Sequence, residues 1–124
     1  MKAFFTTFLV LNFLAETLAA VSLIGAENGL AAALSGNGST NGLWSMHYGF
    51  AVISIASAIC WVWPHRTSRK VVTAVLGMLM VFHSALLISL ILENSQIGGI
   101  VLHTVRALMA IVLFTLRGRW CNDP

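Results

Sequence analysis

The sequence predicts an all-α membrane protein, an antiparallel bundle of four transmembrane helices with both termini on the cytoplasmic side. Of its 124 residues, 58% are hydrophobic and only 9% are charged, whereas soluble domains are about half apolar and a quarter charged. The apolar residues form four long runs, and the basic residues gather at the ends of those runs. A soluble domain of this length could not bury so much apolar surface, so we expect lipid to cover the remainder.

Each apolar run is close to the roughly 20 residues that a helix needs to cross the hydrocarbon core. The second and third runs contain no Asp, Glu, Lys or Arg, which is rare in a buried helix of a soluble protein. Residues 1–124 are therefore predicted to form a single four-span membrane domain. Its spans are predicted at about 3–24, 43–63, 71–92 and 98–116.

The first run has a competing interpretation. Met1 and Lys2 followed by an apolar stretch are also typical of a secretory signal peptide. Asn12 and Glu16 lie inside that stretch, and such polar residues favour a span that stays in the protein.

The three connections differ in length and composition. The first, Ala26–Gly42, is rich in Gly, Asn and Ser and contains the triplet Asn37-Gly38-Ser39, which fits an N-glycosylation sequon. Pro64 is predicted to end the second helix, and a short basic turn, His65–Lys70, follows it. The third connection, Glu93–Ile97, is also short, and short links favour antiparallel neighbours.

The basic residues predict the orientation, because cytoplasmic connections carry an excess of Lys and Arg. Six of the seven lie before the first span, between the second and third, or after the fourth. We therefore expect a multi-pass protein of the cell (inner) membrane with cytoplasmic N- and C-termini. Placement at the ends of spans also argues against a nucleic-acid partner, despite the net charge of +3. The lipid bilayer is the expected partner, and a homo-oligomer or a larger membrane complex stays open.

A small set of strongly polar residues lies within the predicted spans, where each needs a partner or a function. At a rise of about 1.5 Å per residue, the ionisable ones fall in the outer half of their spans. Glu16, His83 and Arg106 lie roughly 12–14 Å from the outer ends of their helices, and His47 and His103 about 6–8 Å. This convergence predicts one ligand-binding or proton-relay site, formed by Asn12, Glu16, His47, His83, His103 and Arg106.

Glu16 and Arg106 carry opposite charges at similar predicted depth. One interpretation is a structural ion pair, in which each charge compensates the burial of the other. The other is a proton or substrate site, because burial and a neighbouring arginine act in opposite directions on the protonation of a carboxylate.

Three of the four histidines lie on three different predicted helices. Imidazole is a ligand for Zn, Cu, Fe and Ni, and a carboxylate can complete the set, so the candidate metal ligands are His47, His83, His103 and Glu16. Alternatively, His47 and His103, at matching depth, are paired axial haem ligands, or each histidine is a hydrogen-bonded structural residue. A transition metal, a haem and a quinone all remain open as cofactors. His65, in the basic turn, is expected to be solvated.

The stretch Phe13-Leu-Ala-Glu-Thr17, in a short chain with four spans, resembles the first helix of the small multidrug resistance transporters. In that family the membrane-embedded glutamate binds protons and cationic drugs, which implies that Glu16 is a proton or cation site. The resemblance covers Leu14-Ala15-Glu16 and the number of spans. The long first connection, the intramembrane histidines, Arg106 and the strong orientation bias depart from the family's pattern, so only Glu16 is carried over.

Three functions remain open from the sequence. The favoured one is binding of a small ligand, metal or redox cofactor by the buried Glu, His and Arg cluster. The second is proton-coupled transport of a small molecule or cation, with Glu16 as the carrier and the histidines as a relay. The third is a structural or accessory subunit of a larger membrane complex. The sequence contains no P-loop, nucleophile elbow or HExxH motif, and whether the protein is an enzyme stays open.

The predicted orientation is tested by cysteine labelling. A cysteine introduced at Ser68 should be shielded from an impermeant thiol reagent added outside intact cells, because the basic turn is expected in the cytoplasm. A cysteine at Ser39 should react from the outside. Background reactivity of the native thiols is removed by first replacing Cys60 and Cys121 with Ala. Labelling of both introduced positions from the outside would contradict the topology.

Overall fold

The computed structural model describes residues 1–25, 40–93 and 97–121, with residues 40–43 described as backbone only. In these ranges the α-helices are α1 (Lys2–Gly25), α2 (Thr40–Ala56), α3 (Ala58–Val62), α4 (Arg69–Leu92) and α5 (Ile97–Leu116). Single 3₁₀ turns follow α3 at Trp63–His65 and α5 at Arg117–Arg119. The Asn37-Gly38-Ser39 sequon and most of the first connection lie outside the described residues.

Four helical stretches among the described residues are long and apolar enough to cross a membrane. They agree with the predicted spans to within a few residues, which confirms the all-α class and marks a multi-pass membrane protein. The helix before Pro64 ends at Val62, as expected for a chain that approaches a proline. The stretches are Lys2–Gly25, Trp44–His65, Arg69–Leu92 and Ile97–Arg119.

The second span differs from its prediction, because it is interrupted at Ser57. The Ser57 hydroxyl donates to the Ser54 carbonyl oxygen over 2.7 Å, and the Ser54 hydroxyl donates to the Phe50 carbonyl oxygen over 2.8 Å. The Cys60 N–H then bonds to the Ser57 carbonyl oxygen at 2.9 Å, three residues back. Hydroxyl groups that bond to preceding carbonyls bend helices, so the apolar run is two helices, α2 and α3, rather than one.

Helix α1 is organised as expected for a helix in lipid. Its buried positions recur at helical spacing: Phe5, Leu9, Asn12, Glu16 and Ala20. The other faces carry large exposed aliphatic side chains, of which Leu18 is 69% exposed. Polar residues on the inner stripe and apolar residues outside are the reverse of a soluble amphipathic helix. Hydrocarbon, not water, is the solvent that makes this arrangement stable.

The chain forms two compact units. The hairpin unit consists of Met1–Thr6 and Val62–Pro124, so the first turn of α1 belongs with α4 and α5. The N-terminal unit is Thr7–Trp61 and holds the rest of α1 with α2 and most of α3. That the whole chain is one four-span domain stays a prediction.

Helices α4 and α5 of the hairpin unit pack against each other in antiparallel fashion. The buried stripe of α4 is Val72, Leu76, Leu79 and His83, which follows helical spacing. The buried positions of α5 are mostly small, since Ala107 and Ala110 precede Leu113. Small residues let membrane helices approach closely, because van der Waals packing is a main source of their association.

At the end of the hairpin opposite its connection, Arg117 links the start of α4 to the residues after α5 by a hydrogen bond. Its Nε donates to the Thr73 hydroxyl over 2.8 Å, and its Nη1 donates to the Phe114 carbonyl oxygen. The guanidinium also lies 3.9 Å from the centre of the Phe114 ring, a favourable cation–π distance. These contacts hold Arg117 in place rather than leaving it as a mobile surface charge.

The first turn of α1 contacts the residues after α5 at this same end of the hairpin. The Phe5 ring is fully buried and lies 5.0 Å from the Trp120 ring, centre to centre. Aromatic pairs at this separation contribute about 0.5–1.5 kcal/mol beyond their area burial. The Trp120 indole N–H is buried with no acceptor among the described residues, and nothing in the structure explains it.

In the N-terminal unit, α1 and α2 meet at Gly49. A Cβ atom at this position would lie 2.7 Å from Ile24 Cγ1, 3.1 Å from the Ala20 carbonyl oxygen and 3.2 Å from Leu23 Cβ. The carbonyl belongs to a helix backbone and cannot move alone. Only glycine therefore permits this approach of the two helices.

Gly49→Ala is expected to destabilise the protein by about 1–3 kcal/mol, the usual cost of overpacking. The matched control is Gly77→Ala on α4, where a Cβ would meet only Phe114 Cε2 at 4.0 Å. Alanine is the better helix former by about 1 kcal/mol, so the control should be neutral or stabilising. Unfolding by titrated denaturing detergent measures both. Equal stability of the two variants would show that the helices do not approach closely at Gly49.

Candidate functional site

The hairpin unit contains a pair of histidines in direct contact. His83 of α4 and His103 of α5 place their Nδ1 atoms 3.1 Å apart, and their ring centres are 5.3 Å apart. His83 is completely buried, and His103 is half-buried. Two predicted site residues are therefore brought together in the middle of the hairpin by a side-chain hydrogen bond.

The geometry of this bond determines what the pair offers to a ligand. One Nδ1 must carry the proton and the other must present its lone pair. Two neutral rings in this arrangement are opposite tautomers. The donor ring then has an acceptor at Nε2, and the acceptor ring has an N–H there. Of the two remaining ring nitrogens, one is therefore a donor and the other an acceptor.

Phe82 and Arg106 lie near the pair. The Phe82 ring lies edge-on to His83, with centres 5.1 Å apart. Arg106 follows His103 by three residues and so lies on the same side of α5. At this spacing Arg106 is about one helical turn from His103. The pair therefore lies against an aromatic edge and close along α5 to a positive charge.

Asn12 and Glu16 belong to the N-terminal unit. They are 5% and 3% exposed and occupy the inner stripe of α1, as their four-residue spacing predicts. A carboxyl group buried to this extent needs compensation, since a charged side chain in the bilayer costs a few kcal/mol even by insertion scales. The predicted pairing of Glu16 with Arg106 stays a prediction.

His47 is a predicted site residue whose side chain is exposed. It lies on α2, with its ring centre 6.3 Å from that of the exposed Trp44. The estimate by helix rise put His47 level with His103. Because the side chain is exposed, the structure gives no support to a contact between His47 and a buried ligand.

A metal site among these residues is not supported. No group of three or more His, Cys, Asp or Glu side chains in the described part of the chain is arranged to hold a metal ion. The ligand set His47, His83, His103 and Glu16 therefore remains a prediction, as does the axial haem pair of His47 and His103.

Estimation by helix rise put His103 about one turn above His83 and so missed their contact. The estimate counts from helix ends, which carry errors of a few residues, and it ignores the length and direction of side chains. The short connection between α4 and α5 could have predicted this contact from the sequence. Positions at similar distances from such a connection face each other in an antiparallel pair, which favours His83 with His103 over either with His47.

No family model, no curated protein and no solved structure matches this chain.

The histidine pair is tested by a double-mutant cycle. His103→Ala should cost about 1–3 kcal/mol, because it leaves a buried ring nitrogen of His83 without its partner. Combined His83→Ala and His103→Ala should cost less than the sum of the single losses. His47→Ala, at an exposed position, should change stability by less than about 0.5 kcal/mol. Strictly additive losses would show that the two rings do not interact. Nitrogen-15 NMR should also report two opposite neutral tautomers.

Proposed function

We propose that this protein binds a small molecule with an acceptor oxygen, of the quinone-like carbonyl class, at the imidazole pair of the hairpin unit. One observation carries the proposal: the fully buried His83 is hydrogen-bonded through Nδ1 to His103 at 3.1 Å. Buried polar groups in a membrane are expensive, and intramembrane ionisable residues commonly mark a site of binding or transfer.

The chemistry of the pair favours this class of ligand. Where His103 is the ring that accepts at Nδ1, its Nε2 carries an N–H that can donate to a carbonyl oxygen. The Arg106 guanidinium, one turn along α5 from His103, carries further N–H donors. Ligand sites are mostly apolar with a few convergent polar groups, and Phe82 with the surrounding aliphatic side chains supplies the apolar part.

A metal ion is the less favoured occupant. The described part of the chain contains no group of three or more ligand side chains, and a closed metal site needs four ligands. A carbonyl oxygen needs only a hydrogen-bond donor.

Proton-coupled transport is the second candidate. A hydrogen-bonded imidazole pair can pass a proton from one ring to the other, and histidine is the usual side chain for such relays. Glu16, 3% exposed on α1, would be the carboxylate that takes or delivers the proton. Proton-dependent flux in sealed vesicles that is lost in Glu16→Gln would favour this function over simple binding.

Both functions assume the arrangement that the basic residues favour. We propose that the four spans form an antiparallel bundle with cytoplasmic termini. The imidazole pair would then lie in the outer half of the membrane, and its ligand would enter from lipid or from the outer face.

The proposed binding is tested with full-length protein in a mild detergent and a short-chain benzoquinone as the probe. His83→Ala should weaken quinone binding about tenfold or more. This is the expected effect of losing one hydrogen bond between the imidazole pair and the ligand. His65→Ala is the matched control, because His65 is exposed in the 3₁₀ turn and should leave affinity unchanged. Calorimetric titration gives the Kd values, with the unfolding midpoint of each variant measured alongside.

Two results would count against the proposal. Equal quinone affinity in the wild type and His83→Ala would remove the imidazole pair from binding. Stoichiometric transition metal in the purified protein, lost in His83→Ala, would replace the organic ligand with a metal.

A further inference from the structure

The face of α5 that lies opposite the histidine pair is exposed and free of charge. Val112 follows His103 by nine residues, which is about 180° around a helix of 3.6 residues per turn. Leu108, on the same face, is 57% exposed. The exposed positions of this face recur at alternating steps of three and four residues: Gly98, Val101, Val105, Leu108, Val112 and Thr115. We call this set the seam of α5.

The seam has the spacing of a coiled-coil heptad, in which positions a and d lie between two helices. The three-residue step from Val105 to Leu108 makes Val105 an a position and Leu108 a d position, and Val112 is the next a. A β-branched residue at a with leucine at d favours two parallel strands. The exposed face of α1 also has heptad spacing, but leucine occupies successive positions there, at Leu14 and Leu18, so it does not have this combination.

A groove of about 250 Å³ lies on the seam. Phe4, from the first turn of α1, lines it together with four residues of α5: Val105, Leu108, Met109 and Val112. The α5 residues are spaced i, i+3, i+4 and i+7, and four residues so placed form one hole in knobs-into-holes packing. In heptad positions they are a, d, e and the next a, which is the hole for a d residue of a parallel partner. The groove is therefore shaped to receive Leu108 of a second copy.

We propose that the protein forms a parallel, twofold-symmetric dimer through α5, in which Leu108 of each copy packs into the groove of the other. A twofold interface must be self-complementary, and the seam supplies both the knob and the hole. The two α5 helices run parallel when every copy inserts in the same direction, which the uneven distribution of Lys and Arg favours. The twofold axis then lies along the membrane normal.

Register and residue type select a second copy over lipid. Acyl chains cover any exposed apolar face and require neither a heptad nor a four-residue hole. Membrane helices associate largely by close packing, commonly at crossing angles like those of soluble coiled coils. The helix of another protein would have to bring a matching seam, whereas a second copy has one by symmetry. The dimer does not depend on the ligand of the histidine pair, because His103 lies on the opposite side of α5.

Disulfide trapping in cell membranes tests which residues meet. In a background with Cys60→Ala and Cys121→Ala, Leu108→Cys should give a disulfide-linked dimer under mild oxidation, because d residues face each other across the twofold axis. Val81→Cys is the matched control and should not crosslink. Val81 is 65% exposed on α4, and the histidine contact sets it about level with Val105 of the antiparallel α5.

Dilution of the full chain in phosphatidylcholine vesicles tests the energetics. Donor and acceptor dyes on the exposed Cys60, with Cys121→Ala, report association by energy transfer. Leu108→Ala should raise the dissociation constant about tenfold or more, because both copies lose the central side chain of the interface. Val81→Ala should change it by less than about threefold. The unfolding midpoints of both variants are measured alongside.

Three results would overturn the proposal. A wild type that stays monomeric at every dilution would show that lipid covers the groove. Equal crosslinking of Leu108→Cys and Val81→Cys would indicate random collision. Crosslinking of Leu108→Cys to a different protein would assign the groove to that protein. If Leu108→Ala does not fold, the two cysteine variants decide alone.

Discussion

A polar group inside the hydrocarbon of a bilayer must find its partner within the protein, because the solvent offers none. This constraint accounts for most of what is seen here. The backbone groups are satisfied within helices. The hydroxyl groups of Ser54 and Ser57 bond to carbonyl oxygens of their own helix. The imidazoles of His83 and His103 bond to each other. A strongly polar residue thus specifies which part of a helix turns inward.

The middle of the α4–α5 hairpin unit and the end that holds Arg117 have different surroundings. In the middle, the histidine pair is kept within apolar surroundings and beside one arginine. At the end formed by the start of α4 and the residues after α5, Arg117 is held by Thr73 and by the Phe114 ring. Under the proposed function, the middle binds a ligand through selective hydrogen bonds, whereas the contacts of Arg117 hold α4 against the residues after α5.

Close packing is arranged with small residues rather than with a hydrophobic driving force. Lipid tails are as apolar as leucine, so membrane helices gain by fitting together closely. Gly49 lets α2 approach the backbone of α1, and Ala107 and Ala110 form the buried face of α5 beneath His103. Such close approach restricts the rotation of each helix, and in the hairpin unit a fixed rotation keeps two imidazole nitrogens at bonding distance.

The amino-acid sequence alone determined the class of protein, because composition and the length of apolar runs are set locally by the cost of placing polar atoms in hydrocarbon. It also identified the inner stripe of α1, since the four-residue spacing of Asn12 and Glu16 is a property of any helix. Tertiary structure alone decided that His83 touches His103, and that the second span is interrupted at Ser57 between α2 and α3. Those outcomes depend on helix rotation, side-chain direction and packing between segments distant in the chain, which distances along separate helices do not encode.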